Sequence, residues 1–163
     1  MGMLDGRVAS VSGGGRGVGA EIAKHMAAAG AKVLVNDPGV GGGGEGGDTA
    51  PAQTIADEIK AAGGEASANF GSVTDYGDCL GMVEQARDEL GGCHIICNPA
   101  GILRDRMFHK MDPQDWRDVI EVHLNGHYNI NRAAINLFRE QEYGRMIMVS
   151  STSGVLGNIG QAN

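Results

Sequence analysis

Aromatic side chains are scarce in this chain, at 4% of its 163 residues, so its core must be packed from Val, Ile, Leu, Met and Ala. There are only three cysteines, Cys79, Cys93 and Cys97, an odd number placed on what read as a helix and a strand. That usage excludes a disulfide framework and points to a reducing compartment, the cytoplasm. Runs of basic residues are missing, and the net charge of −7 disfavours nucleic acid and anionic membrane surfaces as partners. No apolar run approaches the roughly 20 residues that cross a bilayer. The N-terminus lacks a basic stretch followed by an apolar one, so no secretion signal is expected.

Glycine, in contrast, is abundant, at 28 residues. Strand-like and helix-like segments alternate between glycine-rich punctuation. Residues 7–12 read as a strand. A helix over about 17–29 has Val18, Ile22, Ala23 and Met26 at helical spacing, and Gly30 stops it. Residues 32–36 form a second strand. A loop from 37 to about 49 holds seven glycines and one proline, and its acidic Glu45 and Asp48 are expected only to solvate it. A helix over about 50–62 buries Ala52, Ile55, Ala56 and Ile59, and residues 65–70 form a third strand. Thr74 is the expected cap of the next helix, with Asp75 and Asp78 at the positive end of its dipole. Leu80, Val83, Ala86 and Leu90 are its expected buried stripe. Residues 94–98, a helix over about 112–141 with Pro113 in its first turn, and residues 146–150 complete the pattern. Strands apolar on both faces and alternating with helices mean a parallel sheet covered on both sides. The expected fold is a single α/β domain over 1–163, a Rossmann-type doubly wound sheet of order 3-2-1-4-5, incomplete at its C-terminal side.

The turn after the first strand reads Ser12-Gly13-Gly14-Gly15-Arg16-Gly17-Val18-Gly19. Glycines between the first strand and first helix let the backbone approach a pyrophosphate, and the helix N-terminus supplies free N–H groups. Ser12, Gly13, Gly15, Arg16, Gly17, Val18 and Gly19 are therefore the expected phosphate-side residues. Asp37 ends the second strand about 20 residues on, where a carboxylate can bind both ribose hydroxyls. An aspartate there repels a 2′-phosphate by up to about 4 kcal/mol per charge pair, whereas Arg16 would welcome one. Asp37 is weighted more heavily, and NAD is expected over NADP. Cys93-His94-x-x-Cys97 is not read as a metal site, because both cysteines on one face of a strand would lie about 13 Å apart.

These motifs are similar to those of the short-chain dehydrogenase/reductase family, whose fingerprint has the Gly13-x-x-x-Gly17-x-Gly19 spacing. Ser72-Val73 falls where members hold the adenine. Asn98-Pro99-Ala100-Gly101 resembles the family's Asn-Asn-Ala-Gly, with Pro99 removing one donor; Asn98, Ala100 and Gly101 join the expected cofactor contacts. Ser151 matches the catalytic serine, and His123 stands where most members carry a catalytic-site asparagine. Several stretches, among them Val35-Asn36-Asp37, Gly101-Ile102-Leu103-Arg104-Asp105-Arg106, Val122-His123-Leu124 and Gly160-Gln161-Ala162-Asn163, resemble the branch that forms the (3R)-hydroxyacyl-CoA dehydrogenase units of multifunctional enzymes. The resemblance implies hydride transfer between a secondary alcohol, a 3-hydroxyacyl thioester or a steroid-like one, and a nicotinamide cofactor, in a homo-oligomer acting on a small molecule. It also implies a tyrosine and a lysine, Tyr-x-x-x-Lys, that would begin immediately past Asn163, so the 163 residues alone are expected to be inactive. Two alternatives stand beside this: an NADPH-dependent 3-oxoacyl reductase, and a non-catalytic NAD-binding module.

Overall fold

Branched residues that alternate across a pleat build the centre of the molecule. The computed structural model describes residues 2–44, 46 and 48–163. Five strands, β1 (Val8–Val11), β2 (Lys32–Asn36), β3 (Ala66–Asn69), β4 (Ile95–Asn98) and β5 (Arg145–Met148), pair in parallel in the order β3-β2-β1-β4-β5. This is the expected doubly wound order. Ala9, Val11, Val33, Val35, Ile95 and Cys97 face one way and pack on α1 (Gly17–Ala28) and α2 (Ala50–Ala61). Val8, Leu34 and Ile96 face the other way and pack on α3 (Tyr76–Leu90) and α5 (Gly126–Glu140). Burial of Leu34, Ile96 and Ile130, each at most 1% exposed, contributes roughly 1.5–3 kcal/mol apiece. On the first face the helices present Ala20, Ala23, Ala52 and Ala56. Small residues there bring helix and sheet close together, which is how a core poor in aromatics fills its volume.

Several local expectations are corrected. Asp75, not Thr74, caps α3, because its side chain accepts the Asp78 N–H at 2.9 Å from an extended backbone. Leu80 is 38% exposed, and Cys79 and Met82 take its place in the buried stripe. In α1 Val18 is 68% exposed, whereas Ala23 is buried as its spacing implies and Ala20 is buried beside it. Cys93 precedes β4 and packs with α3 and α5, whereas Cys97 packs with α1 and α2. The two thiols thus lie on opposite faces of the sheet rather than on a shared one. Burial pushes Cys93 and Cys79 up to about 12 and raises Cys97 as well. All three are free, protonated core thiols. Asp48 accepts the Ala50 N–H at 2.9 Å and so helps start α2, while Glu45 lies outside the described residues. The helix expected over 112–141 is present but not uniform: α4 (Pro113–Ile120) passes through a π-helical turn, Glu121–Asn125, into α5.

At the end of the sheet away from the glycine turn, His94 Nδ1 accepts the Val8 N–H at 3.0 Å. The ring meets Tyr143 edge-on, and the Arg7 and Arg145 guanidinium carbons lie 3.7 and 4.7 Å from the Tyr143 ring centre. Burial first, and the Arg7 charge second, lower the His94 pKa. A histidine held neutral in the fold stabilises it fully above its unfolded pKa of roughly 6.5 and loses that contribution as pH falls below it. The melting temperature is therefore expected to drop between pH 7.5 and 5.5, and His94→Gln to flatten that part of the profile. An unchanged slope in the variant would show that other groups govern acid sensitivity.

Candidate cofactor and active site

The C-terminal ends of β1, β2, β3 and β4 open onto a cavity of about 600 Å³, at the point where strand order reverses from β1 and where this sheet type binds its ligands. At its floor the chain leaves β1 through Ser12 and turns by Gly13 into α1. Gly13 has φ +56°, and a β-carbon there would come 2.8 Å from the Ala100 Cα. A β-carbon on Gly19 would overlap the Gly13 carbonyl oxygen. The backbone is thus as close as it can come, and among the described residues no side chain caps α1, so its first N–H groups remain available to an anion. A tight glycine cradle at an uncapped helix start fits a pyrophosphate.

Gly13, Arg16, Val18, Gly19 and Asp37 line the cavity. So do Ser72, Val73, Ala100 and Gly101. Asp37 is only 7% exposed. Its Oδ2 accepts the Gly15 N–H at 3.1 Å and its Oδ1 the Gly39 N–H at 2.8 Å. Arg16 reaches along the rim, and its Nη1 donates to the Val40 carbonyl at 2.9 Å. Ser72 Oγ lies 2.8 Å from Thr74 Oγ1, and the Val73 carbonyl accepts from Asn129 Nδ2 at 3.0 Å. Ser12, Gly15 and Asn98 are buried behind this layer and Gly17 is exposed at the start of α1; none of the four lines the cavity. Ser12 Oγ donates to Asn98 Oδ1 and accepts the Ala100 N–H at 3.4 Å, so β1 and the 98–101 segment are tied together. Asn98 Nδ2 is buried without a partner among the described residues.

Neither expected catalytic residue lines this cavity. His123 sits in the π-helical turn, with Nε2 2.9 Å from the Ile102 carbonyl oxygen and 3.1 Å from the Ile102 nitrogen. Its ring is occupied in holding the backbone just after Gly101. Ser151 caps the short helix α6 (Thr152–Leu156), its Oγ accepting the Ser153 N–H at 3.1 Å. Because Oγ serves there as an acceptor, its own hydrogen is free to be donated. Sequence reading missed the opposite wall, where Val40, Gly41, Gly42 and Gly44 from the glycine loop meet Ile102 and Arg104. The run of glycines was the available signal, but nothing local to it says what it touches.

Comparison with known proteins agrees with this geometry. The peroxisomal multifunctional enzyme type 2 of Drosophila melanogaster is 46% identical over 159 residues, 98% of this chain and 26% of that protein. An acetoacetyl-CoA reductase of Paracoccus denitrificans is 40% identical over 148 residues, 91% of this chain and 56% of the reductase. The crystal structure of a short chain dehydrogenase from Mycobacterium avium is 40% identical and superposes with a TM-score of 0.89, covering 98% of this chain and 59% of that one. The chain spans little more than half of the shorter relatives it matches and about a quarter of the multifunctional enzyme. Residues 7–163 match the family described as short chain dehydrogenase, and the chain belongs to that family.

Proposed function

We propose that residues 1–163 are the dinucleotide-binding part of an oxidoreductase that moves a hydride between a 3-hydroxyacyl thioester, or a related secondary alcohol, and NAD. The family's cofactor is a nicotinamide dinucleotide, and when bound it supplies the hydride acceptor. The observation that carries the reading is the glycine cradle at an uncapped helix start, closed on one side by a buried aspartate. Gly13 and Gly19 admit the pyrophosphate, Ser72 and Val73 flank the adenine, and Ala100 and Gly101 border the nicotinamide end. Asp37 favours the sugar without an extra phosphate. Ser151 orients the substrate oxygen, and His123 acts as a positioning residue for the segment after Gly101.

Arg16 supports a second reading, an NADPH-dependent 3-oxoacyl reductase. Its guanidinium lies on the cavity rim, where it donates to the Val40 carbonyl, and could meet a 2′-phosphate. We place the protein in a reducing compartment, the cytoplasm, since all three cysteines are free thiols. Among the described residues no helix is long and apolar enough to cross a membrane. A homo-oligomer is proposed for the full-length protein, since members of this family are generally oligomeric.

The sequence contains no Tyr-x-x-x-Lys, and a positioned proton donor contributes roughly 10²- to 10⁴-fold. The 163 residues alone are therefore expected to produce no NADH, read at the dinucleotide's near-ultraviolet absorbance. The full-length protein should oxidise a 3-hydroxyacyl thioester with NAD. A full-length protein that binds NAD but is silent across acyl thioesters, steroids and simple alcohols would instead favour a binding module.

A further inference from the structure

After β2, residues 38–44 run along the cavity wall, from the phosphate turn on one side to the segment after β4 on the other. On the near bank, Asp37 links Gly15 of the phosphate turn to Gly39, and Arg16 Nη1 holds the Val40 carbonyl at 2.9 Å. On the far bank, the Leu103 N–H donates to the Gly42 carbonyl at 2.9 Å. A β-carbon on Gly43 would come 3.0 Å from Arg104 Nη1, and one on Gly44, at φ +79°, would come 3.3 Å from Ile102 Cδ1. Arg104 is a fixed post. It is 21% exposed, and its Nε lies 3.9 and 3.7 Å from carboxylate oxygens of Asp115 and Asp118 on α4. Near bank and far bank belong to the two halves of the sheet, joined here above the switch point.

We propose that residues 39–44 form a strap latched over the cofactor cleft, and that its opening gates passage of the dinucleotide in both directions; this rests on the dinucleotide reading above. Every latch contact is made within the protein, so entry and exit alike require breaking it. On the far side the latch is one backbone hydrogen bond, of about 0.5–1.5 kcal/mol, and glycine's conformational freedom opposes closure. It is built to open often. Loosening it should therefore speed association and release together and leave affinity nearly unchanged, unlike the loss of an ordinary ligand contact, which acts mainly on release.

The test is stopped-flow binding and release of NADH on the full-length protein. Gly44→Val places a β-branched residue at a left-handed backbone position against Ile102, and Arg104→Ala removes the post. Both are expected to raise the association and release rates about 3- to 10-fold with the dissociation constant within about twofold of wild type. Limited proteolysis within 39–44 should accelerate in both and be suppressed by NADH. Gly81→Ala, on α3 away from the strap and with nothing within 4 Å of its added β-carbon, should keep wild-type rates. Rates unchanged in both variants, or release accelerating alone with matching loss of affinity, would overturn the strap. A wild-type protein that binds no NADH would overturn the dinucleotide reading and the strap with it.

Discussion

Gly19→Ala is expected to raise the dissociation constant for NADH by about 10- to 100-fold. A β-carbon at this position overlaps the Gly13 carbonyl oxygen. That carbonyl cannot retreat, because Gly13 itself already abuts the backbone of Ala100. Overpacking of this kind costs about 1–3 kcal/mol, and here relief comes only by lifting the first turn of α1 away from β1. Lifting it moves the N–H groups proposed to hold the pyrophosphate. Gly81→Ala is the matched control. Gly81 lies mid-way along α3 with open space around its Cα, so alanine there should leave binding unchanged and stabilise the helix by about 0.5–1 kcal/mol. Fluorescence titration of both variants reads the difference. Equal affinity in Gly19→Ala and wild type would mean that the glycine turn does not hold the dinucleotide.

Ser151→Ala in the full-length protein is expected to lower kcat by about 10²- to 10³-fold, the range seen when one donor to a developing oxyanion is removed. Its Oγ accepts the Ser153 N–H, and that bond fixes where the hydroxyl sits while leaving its hydrogen free to be donated. Ser150 makes no such cap, so Ser150→Ala should cost much less. NADH affinity should stay the same in both, since neither serine lines the cofactor cavity. A Ser151→Ala enzyme with kcat within about threefold of wild type would remove the serine from the chemistry.

Much of the fold was legible because its signals are local. Branched residues at period two, helical apolar spacing and glycine punctuation place the β1-to-α1 turn without knowledge of anything distant. What was not legible depends on contacts across the chain. Thr74 and Asp75 both have capping side chains, and only the extended backbone of Asp75 decides between them. Leu80 fits the helical period as well as Cys79 and Met82 do; packing of α3 against β1, β2 and α5 selects the latter. The π-helical turn follows no periodicity in the sequence, and its His123 bonds to Ile102, 21 residues earlier. That contact also explains why a histidine expected to be catalytic points at backbone. The glycine loop was readable as a loop, but its bond to Leu103 comes from far along the chain and carries no sequence signature.

In the function proposed above, this cleft binds a nicotinamide dinucleotide and Asp37 decides which one. Calorimetric titration of the wild-type protein with NADH and with NADPH is the decisive measurement. Saturable binding of NADH, tighter than that of NADPH, is the expected result. Equal or tighter NADPH binding would hand the choice to Arg16, and absence of saturable binding by either would contradict the assignment of the cleft itself.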